Sequence, residues 1–295
     1  MTVRLNGLIF GCGYVGRRVA DAWLKAGRRV FAVTRSSTKA SELRSSGIEP
    51  VIADVTDPES LAAARFPDVD TLLYAIGWDR SAGLPMHEVY VTGLQNAIAA
   101  VAEKTGRFLY ISSTSVYGQD DGCWVDENAI CSPTRENGQI CLRAEQQIWD
   151  TYQQMQQGQS NRRRIVLRLA GIYGPGRLLA RAETLKSGRV LSGNPDGWLN
   201  LIHVDDAVAA ILAAEQCQTA SGTYLVCDSE PVLRRDYYNA LANLIQAPNP
   251  KFTNSSESTG LNKRCCNRRV REDLGVRLKF PSFREGLPNS LGDVV

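Results

Sequence analysis

Six residues, Gly11-Cys12-Gly13-Tyr14-Val15-Gly16, constrain this chain more than any other stretch. They follow a short apolar run, Leu8-Ile9-Phe10, and open a helical pattern with apolar residues at Val15, Val19, Ala22, Trp23 and Ala26. Strand, glycine turn and helix, in that order, form the opening of a βα unit that grips a dinucleotide. Gly11 allows the tight turn, Gly13 lets a pyrophosphate approach the backbone, and Gly16 lets helix and strand pack closely. The amides at the helix start, around Tyr14 and Val15, offer partial positive charge to the phosphates. Glycines also end strands for structural reasons alone, so the pattern takes its force from its flanks.

A chain of 295 residues can bury a large core, as one big α/β domain or one with an appended lobe. The formal charge of +3 gives no reason to expect nucleic-acid or membrane partners. No apolar run reaches the roughly 20 residues that span a bilayer, and no signal-peptide pattern precedes the glycine turn. Eight cysteines are scattered without ligand spacing, which predicts reduced thiols in a cytoplasmic protein and no metal site. Cys265 and Cys266 are adjacent; a redox role and a buried, inert one are both open. Arg162-Arg163-Arg164 reads as a solvated loop, and Gln153 to Gln159 as a fraying helix end.

The second strand, Arg29 to Val33, ends at Thr34-Arg35-Ser36. An acidic residue near this strand end holds the adenosine ribose in NAD-selective sites. Here Arg35 stands instead. Its guanidinium suits a 2′-phosphate, Ser36 can add a hydroxyl, and a carboxylate would repel that phosphate. The expectation is NADP(H) ahead of NAD; a solvent-facing turn arginine is the bland alternative. Asp54 and Val55 close the third strand where an adenine would lie, though Asp54 could equally cap the next turn. Ala75-Ile76-Gly77 end a fourth strand read over Thr71–Gly77, with small residues that leave room for ribose and phosphate. A single long helix is predicted from about Pro85 to Lys104.

Strand five, Phe108–Ile111, runs into Ser112-Ser113-Thr114-Ser115-Val116-Tyr117-Gly118. With the glycine turn, this stretch resembles the extended short-chain dehydrogenase/reductase family, in its nucleotide-sugar epimerase/dehydratase branch. The resemblance extends through Arg168-Leu169-Ala170-Gly171-Ile172-Tyr173-Gly174-Pro175-Gly176, Ile202-His203-Val204-Asp205-Asp206 and Tyr224-Leu225-Val226-Cys227-Asp228. It implies an α/β fold, a doubly wound parallel Rossmann sheet with a smaller, discontinuous C-terminal substrate lobe. The expected core is 1–170 with 198–222 returning to it; the expected lobe is 171–197 and 223–295. By resemblance Ser113 takes the catalytic serine/threonine position and Ser112 lies at the cofactor. His203 is expected to be structural. The helices at Pro85–Lys104 and Asn137–Gln154 pair into a homodimer contact in many relatives.

The family's Tyr-x-x-x-Lys pair puts both side chains on one helical face, the lysine lowering the tyrosine's pKa from about 10. Aligned on Leu142, Glu145 and Gln146, those positions hold Asn137 and Cys141. An amide exchanges no useful proton, and a thiol provides no fixed positive charge. Arg143 points off the Cys141 face, and Tyr152 has Gln156, not lysine, four residues on. Losing a positioned acid/base removes about 10²–10⁴ in rate. Two readings stay open: an atypical oxidoreductase or epimerase/dehydratase using Ser113, Thr114 and Tyr173 or Tyr117, and an inactive NADP-binding regulator or scaffold. The substrate expected is a carbonyl or sugar-like small molecule.

Gly171 stands where many relatives carry asparagine. Arg177, Arg181 and Arg189 could meet an anionic substrate, each being a solvated arginine otherwise. Asp205-Asp206 are expected to cap a helix running to about Glu215, Tyr237–Ile245 to form another, and 247–260 a surface loop. The basic run from Lys263 to Arg269 is read as a solvated helix start or an anion site.

Overall fold

The computed structural model describes residues 5–155, 163–253 and 261–292; Arg162, the glutamines after Met155 and the end of the 247–260 stretch lie outside them. In chain order the first elements are β1 (Asn6–Phe10), α1 (Tyr14–Lys25), β2 (Arg29–Thr34), α2 (Ser37–Ser45), β3 (Glu49–Ile52), α3 (Pro58–Ala63) and β4 (Val69–Tyr74). Then come α4 (Gly93–Val101), β5 (Thr105–Ser113), β6 (Trp124–Val125), α5 (Glu136–Met155), β7 (Arg163–Leu169), β8 (Gly171–Tyr173) and α6 (Leu179–Lys186). The chain continues with β9 (Trp198–Leu199), β10 (Leu201–His203), α7 (Val204–Gln216), β11 (Gly222–Val226), β12 (Val232–Leu233) and α8 (Arg234–Leu244). It closes with β13 (Arg264–Cys265), α9 (Arg268–Asp273) and α10 (Phe283–Ser290).

The main sheet has seven strands in the order β11-β7-β5-β4-β1-β2-β3. From β5 through β3 every pairing is parallel. Strand order reverses between β1 and β4, the point where open α/β sheets receive ligands beyond their carboxyl ends. This is the doubly wound α/β architecture expected from the sequence.

Two compact units divide the chain. The first comprises Met1–Ser112, Arg135–Leu167 and Ala214–Thr223; the second comprises Ser113–Thr134, Arg168–Ala213 and Tyr224–Val295. The first unit's core stacks Phe10 on Tyr74 at 5.8 Å and Tyr74 beside Tyr110 at 5.9 Å, and includes Leu94, Ile98, Ile140, Ala144 and Ile148. Each large apolar side chain so buried contributes about 1.5–3 kcal/mol. In the second unit Tyr173, Tyr237, Leu241, Phe283 and Leu287 form a separate core.

A buried polar knot ties the ends of the first unit. The Glu215 carboxylate accepts from Trp23 Nε1 at 2.8 Å and from Arg28 Nη1 at 2.6 Å, while the Arg28 guanidinium lies 4.7 Å over the Trp23 ring. A glutamine offers one acceptor oxygen to these two donors. Glu215→Gln should therefore cost about 2 kcal/mol in urea unfolding, the penalty of one stranded buried donor.

Several expectations are corrected. The long helix expected after Pro85 is present and continuous over residues 86–104, but its winding is uneven, with a π-helical turn at Glu88–Thr92 before α4 and a 3₁₀ turn at Ala102–Lys104 after it. Gly93 passes so close to Val55 that a Cβ there would sit 2.8 Å from its Cγ2. β4 stops at Tyr74, because Ala75 to Gly77 leave the ladder after the Ala75 amide bonds Phe10 O at 2.7 Å. Arg163 and Arg164 belong to β7 and not to a loop: Arg163 binds the Cys217 carbonyl at 2.9 Å, and Arg164 lies over Trp149 at 5.1 Å. Asp205 and Asp206 lie inside the first turn of α7 instead of capping it, and Asp206 accepts from the Lys279 and Phe280 amides at 2.7 and 2.9 Å. Among the described residues no helix is long and apolar enough to cross a membrane.

Candidate cofactor site

Gly11 has φ +89°, and a Cβ there would sit 2.5 Å from the Ala75 carbonyl and the Ile76 amide. At Gly16 a Cβ would lie 2.3 Å from Gly11 O. These two glycines are required by the protein's own packing. Gly13, the N-cap of α1, is different: a Cβ there would meet nothing within 4 Å. The space before Gly13 is unfilled by protein, as a cradle for a pyrophosphate must be. Tyr14 and Val15 begin α1, whose first turn carries no acidic side chain to repel an anion. On this ground the residues fit a nicotinamide dinucleotide. Cys12, within the turn, has its thiol pushed up to about 11, mainly by burial, so it stays neutral there.

Beside that turn opens a pocket of about 210 Å³ within the first unit. Gly11, Arg35, Asp54, Val55, Ile76 and Gly77 all line it, six residues named from sequence. The ends of β1, β2, β3 and β4 thus converge on one cavity. Ser36 stands just outside it as the N-cap of α2, its hydroxyl accepting from the Lys39 amide at 3.2 Å. Ala75 supplies backbone to the wall of the turn, and Ser112 is buried, donating to the Glu145 carboxylate.

Asp54 is held by its own turn, accepting from the Thr56 amide at 2.9 Å and hydroxyl at 2.8 Å. Its other oxygen lies 3.8 Å from Arg35, whose side chain is 53 % exposed. An exposed pair of this kind contributes at most about 1 kcal/mol, so it holds the guanidinium at the rim without tying it down. Asp79, also on the lining, has its carboxyl lowered by hydrogen bonds from the Ser81 hydroxyl and amide, with Arg35 adding. Thr34, Thr56, Asp79, Leu84 and Val89 were not singled out from sequence. Val89 sits in the π-helical turn, a distortion that periodicity does not reveal.

The proton-transfer candidates are distributed over both units. On α5, Asn137 is exposed and Cys141 is buried. Ser113 accepts from the Ser115 amide at 3.1 Å and caps the 3₁₀ turn that holds Thr114. Tyr173 is buried in the second unit's core, its hydroxyl 3.5 Å from Ser282 O and its ring edge-on to His203 at 5.3 Å. Burial raises its pKa far above the ordinary value. Tyr117 is also fully buried, accepting from Arg168 Nη1 at 2.8 Å. Both tyrosines serve packing in this arrangement. His203 is sealed between Tyr173 and Phe280, and burial lowers its pKa, so it is neutral at pH 7.

Residues 8–227 match the NAD dependent epimerase/dehydratase family. The chain belongs to that family. Protein YeeZ of Escherichia coli strain K12 is 29 % identical over 283 residues, covering 92 % of this chain and 95 % of YeeZ. A solved structure of a conserved protein of unknown function from Silicibacter pomeroyi is 33 % identical, covers 96 % of each chain and superposes with a TM-score of 0.75. UDP-glucuronic acid 4-epimerase from Bacillus cereus, solved with NAD, is 19 % identical over 97 % of each chain with a TM-score of 0.77, a likeness of fold alone. Family membership brings nicotinamide-dinucleotide dependence and enzyme-like architecture with it.

The second unit holds one unusual carboxyl. Asp228 is buried with neither side-chain oxygen hydrogen-bonded, and burial pushes its pKa up to about 8. The folded state therefore holds a proton that the unfolded chain releases near pH 4. Stability from this group is full below pH 4 and is lost as pH rises toward 8, by at most about 1.4 kcal/mol per pH unit. Asp228→Asn should flatten that decline in urea titrations between pH 5 and 8, converging with the wild type near pH 4.

Proposed function

We propose that this chain is an atypical NADP(H)-binding member of the short-chain dehydrogenase/reductase class, acting on a carbonyl or nucleotide-sugar-like substrate without the Tyr-x-x-x-Lys pair. The observation that carries the cofactor choice is Arg35 on the rim of the pocket that Gly11 and Gly77 also line. When bound, the cofactor supplies a hydride donor or acceptor. The amides around Gly13 and Tyr14 hold its phosphates, Arg35 and Ser36 take the 2′-phosphate, and Asp54, Val55 and Ile76 flank the adenosine. Ser113 and Thr114 carry the hydroxyls that would meet the substrate. The nucleotide-sugar class is supported by the match to the NAD dependent epimerase/dehydratase family, and two copies would pair through α4 and α5.

A second reading has its own observation. With Asn137 exposed and Cys141 buried on α5, the helix presents neither phenol nor ammonium at those positions. That arrangement favours a protein that binds NADP(H) and signals its presence without turnover. Fluorescence titration with NADPH, paired with a panel of sugar nucleotides, aldehydes and ketones, separates the two. Cofactor oxidation with any member supports the enzyme; tight binding with no oxidation across the panel supports the regulator. Absence of NADPH binding contradicts both.

A further inference from the structure

The second unit carries a pocket of about 610 Å³ that shares no residue with the dinucleotide pocket. Its walls include Trp124, Cys266, Arg268, Arg271, Glu272 and Arg277. All three arginines are exposed, and among the described residues none of them makes an ion pair. Arg269, by contrast, is tied to Asp273 at 3.1 Å and lies over Tyr224 at 4.8 Å. Three arginines and one glutamate, Glu272, are the charged residues of its lining. Like charges gathered around a concavity repel one another and raise the local concentration of anions.

The frame beneath them is fixed. β13 pairs with β6, placing Cys265 opposite Val125, and the Cys266 amide donates to Val125 O at 2.9 Å. Asn200 Oδ1 accepts from the Cys265 amide at 2.7 Å. Asn267, buried, donates to Cys227 O at 3.0 Å and Ser229 Oγ at 3.1 Å, setting the start of α9. Trp124 is 54 % exposed, and the Arg264 guanidinium covers its ring at 5.0 Å. The pocket is thus built from pinned backbone, with one aromatic wall and three planar forks that can each grip a phosphate through two parallel hydrogen bonds. Its volume lies within the roughly 300–1,000 Å³ of small-molecule sites.

We propose that this pocket binds a small molecule through a diphosphate, with Arg268, Arg271 and Arg277 as its clamps and Trp124 beside its organic part. A single phosphate carries about two negative charges and leaves one guanidinium unmatched, whereas a diphosphate occupies all three. Glu272 sets the limit on charge and disfavours longer polyphosphates.

The test uses full-length protein held in saturating NADPH, so that the dinucleotide pocket is already occupied. Inorganic pyrophosphate is titrated by calorimetry, with sodium chloride at matched ionic strength as the control. Alkylation of Cys266 by iodoacetamide is followed in parallel by peptide mass mapping. One site is expected, weakened at least tenfold in the double variant Arg271→Glu/Arg277→Glu. Saturating pyrophosphate should slow alkylation of Cys266 at least fivefold and leave that of Cys217, on the first unit, unchanged. Binding that the control salt reproduces, or that the double variant retains, overturns the proposal. So does Cys266 alkylation that pyrophosphate does not slow. Circular dichroism of the double variant establishes that lost binding is not lost folding.

Discussion

Gly13→Val should abolish binding of NADPH and NADH together, by at least about 10³-fold or ~4 kcal/mol, while the protein stays folded. The two halves of this expectation come from one observation. A Cβ at Gly13 touches no protein atom within 4 Å, so the added side chain projects into the space assigned to the pyrophosphate. Folding loses only the preference for glycine over valine at a helix N-cap, about 1 kcal/mol. The neighbouring glycines behave oppositely: a Cβ at Gly16 would press on Gly11 O at 2.3 Å, so substitution there damages the fold before any question of binding arises. Calorimetric titration and thermal melting of Gly13→Val and Gly16→Val, side by side, check the contrast. NADPH binding by a folded Gly13→Val protein at wild-type affinity would remove the phosphates from this corner.

Arg35→Glu should weaken NADPH binding by about 10²–10³-fold and leave NADH binding within a few fold of the wild type. The substitution removes a charge-assisted contact of about 1.5–3 kcal/mol and adds a carboxylate that repels the 2′-phosphate. The existing partner offers little resistance to the wild-type interaction, since the Arg35–Asp54 contact spans 3.8 Å with the arginine side chain 53 % exposed. Raising salt from low to physiological should erode the wild-type preference for NADPH, because an exposed guanidinium is screened over about 8–10 Å. Parallel titrations with both cofactors at two salt concentrations give the answer.

The sequence made the dinucleotide unit legible because each signal there is local. Glycine spacing, the apolar run of β1 and the stripe on α1 point to one local structure, and the ends of four strands deliver Gly11, Arg35, Asp54, Val55, Ile76 and Gly77 to one cavity. Asp79 and Leu84 complete that cavity from a loop that no periodicity marks, and Val89 from a π-helical turn, where the helical pattern shows an apolar residue but not that it lines a cavity. The basic run misled for a different reason. Lys263 to Arg269 look solvated on charge alone, yet Lys263 is buried with its ammonium 3.0 Å from the Tyr117 carbonyl, and Arg264-Cys265 form a strand. A two-residue strand carries too little pattern to be read, and a lysine buried against a carbonyl is a long-range fact. Asp206 is similar: its bonds to the Lys279 and Phe280 amides replace the capping role that its position before a helix suggested.

If a glycine corner and a strand-end guanidinium together hold a phosphorylated dinucleotide, NADPH must bind more tightly than NADH. Paired calorimetric titration of the unmodified protein with NADPH and NADH, in one buffer at low salt, measures that difference. One site is expected for each, with NADPH tighter by tenfold or more. Equal affinities, or heat from neither, would contradict that arrangement.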